Sequence, residues 1–235
     1  MIYILDKLKK VLGNSNSHVV IVLAMIYVSC KLTCNPLFFR HINFSYPFFN
    51  FQLKIVGSAL AFPLIYIISD LIVIASNRIT TIVIILAGII CDGLFSFSVS
   101  YVAALPLPPA MSSAQITNTG AINVVGNQIW NLYMHGVLAT IAANIAEVLI
   151  FASLFKKIKN FFVSTVLSVF IILIFHNTIT DYPMLKNQPD AWNTIFNGLF
   201  INMSILAMYA AIFSILMWLR TNRLFRRLKT YTEAT

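Results

Sequence analysis

The stretch Phe62-Pro63-Leu64-Ile65-Tyr66-Ile67-Ile68-Ser69-Asp70-Leu71-Ile72-Val73-Ile74-Ala75 decides the fold. It lies in an apolar run over 55–76, and crossing a hydrocarbon core of about 30 Å takes roughly 20 helical residues. Its one carboxylate, Asp70, is costly at that depth, about 2.5 to 3.5 kcal/mol on insertion scales, so it belongs on a face turned from lipid. Pro63, Tyr66 and Asp70 fall at i, i+3 and i+7, one side of a helix, with Leu64, Ile68 and Leu71 off it.

Five further apolar runs extend the pattern, at 17–34, 80–105, 129–155, 161–179 and 193–219. The chain reads as one membrane domain over 1–235, an all-α integral membrane protein with six transmembrane helices in one bundle. The first run is the shortest, and a five-span count stays open. Composition agrees: 59% hydrophobic and 10% charged residues leave too little polar surface for a soluble domain of 235 residues.

The net charge of +9 does not point to nucleic acid, because the basic residues sit in connections rather than along one face. Six spans place Lys7, Lys9, Lys10, Arg78, Lys156, Lys157, Lys159, Arg220, Arg223, Arg226, Arg227 and Lys229 on one side, and Lys31, Arg40, Lys54 and Lys186 on the other. The positive-inside rule then puts both termini in the cytoplasm of a cell inner membrane. The basic N-terminus is followed by no small-residue cleavage site, so the first run is expected to stay as a span. Cys30, Cys34 and Cys91 have no paired spacing and are expected to pack rather than bind metal.

The stretch from Pro106 to Gln128 holds three prolines, two glycines and no charge. It is expected to form turns or a re-entrant piece lying over the bundle as a lid, an exposed loop being the alternative.

Polar groups inside the spans mark the candidate site. Thr140, Asn144 and Glu147 repeat the i, i+4, i+7 stripe among Ala139, Ala142, Ala143 and Ala146, whose size permits close helix approach. Counted from the inner ends, Asp70 and Glu147 share a depth. No lysine or arginine is expected at that depth, so the two carboxyls are expected to share a proton. Asn177 and Asp181 form an i, i+4 pair near the outer end of the fifth run, beside His176. Asp92, with Ser96 and Ser100 at i+4 and i+8, reads equally as site or scaffold.

The chain has no H-E-x-x-H zinc pair, no G-x-S-x-G elbow and no P-loop. An enzyme is not expected, nor a cofactor or metal. Buried carboxylates on small-residue helices favour a solute carrier. Two alternatives stay open: a solute-binding subunit similar to that of energy-coupling-factor importers, which needs an ATPase partner, and a membrane scaffold. The expected partners are the lipid bilayer and a small solute; a homo-oligomer is compatible with the sequence.

The string Phe62 to Leu71 resembles the signature of the VUT family, the queuosine precursor transporters once called vitamin uptake transporters. Leu107-Pro108-Pro109, the run from Leu138-Ala139-Thr140 through Ala146-Glu147 to Lys156-Lys157-Ile158-Lys159, and the basic tail to Lys229 follow in the same order. The resemblance implies a six-helix bundle importing a 7-deazaguanine precursor of queuosine, in its nitrile or aminomethyl form. It also implies a substrate site at Asp70, Glu147 and the pair Asn177 and Asp181. Adjacent ring N–H and amine donors of such a heterocycle suit a carboxylate, and Tyr66, Phe62 or Phe95 offers a stacking face. Departures are Ile74, where an acidic residue often stands, the replacement near His135 of the arginine expected before the fourth span, and the absence of the usual sixth-span lysine.

Overall fold

A computed structural model describes residues 17–45, 52–108, 110–185 and 191–232. Six helices dominate it: α1 Ser17–Phe38, α2 Phe62–Ala75, α3 Arg78–Ala103, α4 Ser113–Ile158, α5 Phe161–Leu185 and α6 Ala191–Thr232. Five helical segments are long and apolar enough to cross a membrane, and α5 contributes a shorter apolar piece, Phe161–His176. The helical fold read from the sequence holds. Between α1 and α2 the chain adds an antiparallel hairpin, β1 His41–Ser45 with β2 Gln52–Val56, His41 facing Val56 and Ser45 facing Gln52. A 3-10 turn, Gly57–Leu60, leads into α2, so residues 55 and 56, expected to open the second span, belong to a strand instead.

Local chemistry sets the connections. Asn77 stands between α2 and α3 in extended conformation, and its side chain accepts from the Thr80 N–H at 2.9 Å, capping α3. At the end of α4 Lys159 takes the left-handed conformation, φ 56°, and its N–H closes on Phe155 O at 2.9 Å. Asn160 then caps α5 through the Val163 N–H at 3.1 Å. Lys156 and Lys157 in the last turn of α4 complement its dipole.

The stretch read as a lid is mostly helix. Ser112 and Gln115 form a reciprocal capping box, after which α4 runs unbroken for 46 residues, about 69 Å at 1.5 Å per residue. That is twice what a bilayer core requires. Residues 113–128 therefore extend the fourth span as a rod, and of the described residues in this stretch only 104–108 and 110–112 are non-helical. The prolines end at Pro109, and Gly120 and Gly126 are tolerated inside the helix, which is why composition alone misled.

The central helix is α2. From Ile65 to Asp70 every residue is buried, so the inward face of Pro63, Tyr66 and Asp70 read from the sequence widens to burial all round, Ile68 included. One apolar cluster joins Tyr66 and Ile67 to Phe151, Val169, Leu173 and Leu206. The other joins Ile65, Ile68 and Ile72 to Tyr27, Ile85, Ile89 and Val148. On the outside of α3, Val83, Leu86, Ile90, Leu94, Phe97 and Tyr101 form an exposed apolar stripe at helical spacing. Meanwhile Asp70, Thr81, Asp92, Ser96, Glu147, Thr165 and Ser168 are buried inside. Apolar outside and polar inside is the distribution of a multi-pass membrane bundle.

Because lipid is as apolar as leucine, such helices hold together by close packing and interhelical polar contacts. Gly88 and Gly93 on α3 show the first. A Cβ at Gly88 would come 2.7 Å from a ring carbon of Tyr27, and one at Gly93 would come 2.6 Å from the Tyr133 hydroxyl. Only glycine lets α1 and α4 approach α3 this closely.

Candidate functional site

Chain direction divides the bundle into two ends. The hairpin, the C-terminal parts of α1, α3 and α5, and the start of α2 lie at one end; the Asn77 and Lys159 connections lie at the other. A cavity of about 160 Å³ occupies the hairpin end, lined by residues of all six helices and the 3-10 turn. For scale, an apolar cavity of roughly 150 Å³ accepts benzene. This one has room for an aromatic ring system.

Asp92 is the charged centre of the cavity wall, 2% exposed. Asn35 donates from Nδ2 to Asp92 Oδ1 at 2.9 Å, and Lys31 Nζ stands 3.9 Å from Asp92 Oδ2. Lys31 and Asn35 are one turn apart on α1, so one face of that helix presents both to α3. Lys31, assigned above to an outer connection, is thus a buried residue of α1, 8% exposed. Lys31 is therefore a cation inside the bundle at Asp92, away from the depth of Asp70 and Glu147 where none was expected, and it does not count among the basic residues of a connection. The helix runs past Cys34 to Phe38 with Pro36 inside its final turn, where the proline removes the bond to the residue 32 carbonyl and the helix ends two residues later.

Around this pair the cavity combines flat and polar surfaces. Tyr133 of α4 lies against it, its hydroxyl donating to Ile89 O at 3.2 Å and its ring stacked on Trp130 at 5.6 Å. Phe62 at the start of α2 lines it too, edge-on to Tyr66 at 5.2 Å and tilted against the His176 ring at 5.7 Å. Thr140 and Asn202 complete the polar lining. Asn202 Oδ1 is buried and has no hydrogen-bond donor among the described residues, the condition of an acceptor waiting for a donor.

A second polar group lies towards the opposite end. Asp70 of α2 and Glu147 of α4 are both fully buried, with their carboxyls in hydrogen-bonding proximity. Ser168 of α5 donates to Glu147 Oε1 at 3.0 Å, and Ser69 of α2 reaches Glu147 Oε2 at 3.4 Å. Asp70 Oδ1 and Oδ2 accept no hydrogen bond from any described donor. The common depth read from the sequence brings these two carboxyls together, but neither lines the cavity.

The remaining expected site residues divide between the two. Tyr66 is buried with the carboxyl pair, whereas Phe62 belongs to the cavity. Asn144 is buried one turn from Glu147, its amide donating to Thr140 O at 2.7 Å and so bracing the cavity wall from below. Phe95 does not line the cavity. Asn177 and Asp181 fall within α5, but their side chains lie outside the described residues. Lys31, Asn35, Tyr133 and Asn202 were missed as site residues. The i, i+4 spacing of Lys31 and Asn35 in an apolar run was the available signal.

Among the described residues no group of three or more histidine, cysteine or carboxylate side chains is placed to hold a metal ion. Comparison with protein-family models, curated proteins and solved structures yields no match.

Proposed function

We propose that the chain is an inner-membrane uptake carrier, secondary or facilitative, for a small planar nitrogen heterocycle bound in the Asp92 cavity. The carrying observation is the cavity itself, in which a buried carboxylate, an amine, two amides and the rings of Phe38, Phe62, Tyr133 and His176 surround ring-sized space inside an apolar bundle. Asp92 and the unpartnered Asn202 Oδ1 accept from the donor edge of the solute. Lys31 and Asn35 meet its acceptors, and Phe62 and Tyr133 cover its faces. In a water-poor site these directed contacts set selectivity, because an analogue that leaves a buried polar group unpaired is penalised by about 1–3 kcal/mol.

The resemblance of Phe62 to Leu71 to the queuosine precursor transporters makes a 7-deazaguanine the first solute to test, and its N–H and amine edge matches the paired acceptors. With both termini cytoplasmic, the hairpin end faces outward, so the cavity is open to incoming solute. No group placed for bond-making chemistry is needed in this account, which treats the protein as a carrier and not an enzyme.

Uptake of the 7-deazaguanine nitrile into liposomes containing only this protein tests the proposal. Saturable accumulation or exchange is the expected result. Tight binding without movement would instead identify a binding subunit that needs an ATPase partner. Neither binding nor movement would refute the solute.

A further inference from the structure

Two fully buried carboxyl groups meet in the half of the bundle away from the cavity, and their hydrogen bonds are unequal. Glu147 accepts from Ser168 on one oxygen and approaches Ser69 on the other. Asp70, equally buried, accepts from nothing described, although Thr165 Oγ1 lies beside it, itself buried and without a well-formed hydrogen bond. An ionised carboxylate held in this way would leave about four acceptor sites empty in a medium without water. A neutral carboxylic acid whose O–H points at Glu147 has no such deficit. Among the described residues neither group forms an ion pair with lysine or arginine, the buried Lys31 being spent on Asp92.

We infer that Asp70 and Glu147 hold a single shared proton, carried by Asp70 and donated to an ionised Glu147, and that this is a coupling-proton site separate from the solute cavity. Among the described residues the titratable groups within electrostatic reach of it are Tyr27 from α1 and Tyr66 from α2, and α5 adds the hydroxyls of Thr165 and Ser168. Tyr27 and Tyr66 have buried hydroxyls without hydrogen-bond partners. Both lie within electrostatic reach of Glu147, and Tyr27 also within reach of Asp92. Tyr27 thus relates to both carboxylate sites, and Tyr66 touches the cavity-lining Phe62 at 5.2 Å.

The fold gives the coupling a mechanical basis. Phe62 in the cavity and Asp70 in the pair lie eight residues apart on α2, and Thr140 and Glu147 seven apart on α4, so each helix carries one member of each site. A shift of α2 against α4 that closes the cavity on solute also changes the distance between the carboxyls. The proton enters from water on one side and returns to water on the other, with no bond but O–H made or broken. This coupling rests on the carrier reading; the shared proton does not.

Infrared difference spectroscopy on the full-length protein in lipid separates the two. At neutral pH the wild type should show one protonated-carboxyl C=O band that shifts in deuterium oxide and is the same in potassium and sodium chloride. Asp70→Asn should abolish it, because the amide N–H replaces the shared proton and leaves Glu147 ionised, while Asp92→Asn should retain it. Absence of the band from wild type, its survival in Asp70→Asn, or its loss on adding sodium would overturn the inference, the last by making a metal cation the ligand. In liposomes carrying the 7-deazaguanine nitrile, Asp70→Asn should keep solute exchange but lose accumulation driven by a pH gradient. Gradient-driven accumulation at the wild-type level in Asp70→Asn would refute the coupling. Failure of the wild type to move this solute would count against the solute assignment, with the spectrum still deciding the proton site.

Discussion

Replacing Lys31 by methionine removes the ammonium that faces Asp92 while keeping the length of the side chain. Breaking a buried ion pair from one side costs about 3–5 kcal/mol, because the surviving charge stays buried. Here the cost should be lower, for the Nζ to Oδ2 distance of 3.9 Å is at the limit of an ion pair and Asn35 still donates at 2.9 Å. A loss of about 2–3 kcal/mol follows. Asp92→Asn should cost only about 1 kcal/mol, since the amide oxygen still accepts from Asn35 and the lysine head can turn towards the cavity. The double variant removes both charges and should recover most of the loss, giving a coupling of about 1.5–3 kcal/mol. Reversible unfolding in mixed micelles measures all four corners of this cycle. A Lys31→Met variant within about 0.5 kcal/mol of wild type, or strictly additive losses, would refute the buried pair.

Gly93→Ala places a methyl group where the Tyr133 hydroxyl sits, 2.6 Å away, so Tyr133 should be driven into the cavity, with about 1–3 kcal/mol lost and weaker solute binding. Calorimetric titration and unfolding of Gly93→Ala beside wild type measure this. Ser168→Ala removes the 3.0 Å donor to Glu147 and should cost about 1–3 kcal/mol in unfolding while leaving cavity binding unchanged. Cysteines at Ser113 and Asn123, on the rod-like start of α4, should label equally with and without solute; protection by solute would restore the lid. Reporter fusions at Lys157 and Thr235 should report a cytoplasmic location and one at Lys186 a periplasmic one, and an outward C-terminus would overturn the six-span topology.

The bundle was legible because membrane spans announce themselves by length and hydropathy, and the adjacency of Asp70 and Glu147 because α2 and α4 run in the same direction and end on one side, so that residues counted back from those ends fall at similar depth. The cavity was less legible. Lys31 lies near the end of the weakest apolar run, where a lysine reads as a loop charge, and only the fold shows α1 continuing past Pro36 so that Asn35 and Lys31 both face Asp92. Asp92 itself carries no local sign of which neighbour it meets. The α4 rod was hidden by composition, since glycine, asparagine and threonine over residues 113–128 are typical of loops, and the decisive signal was the Ser112 to Gln115 capping box. The hairpin was masked by Ile55 and Val56, which suit a strand and a span alike.

The central claim is that solute binds at Asp92, away from the buried carboxyl pair. Equilibrium binding of the 7-deazaguanine nitrile to purified wild type, Asp92→Asn and Ser168→Ala tests it most directly. The account predicts saturable binding by wild type, at least about tenfold weaker binding by Asp92→Asn, equivalent to about 1.4 kcal/mol, and unchanged binding by Ser168→Ala. Equal affinity in wild type and Asp92→Asn, with Ser168→Ala weakened instead, would contradict it and move the solute to Asp70 and Glu147.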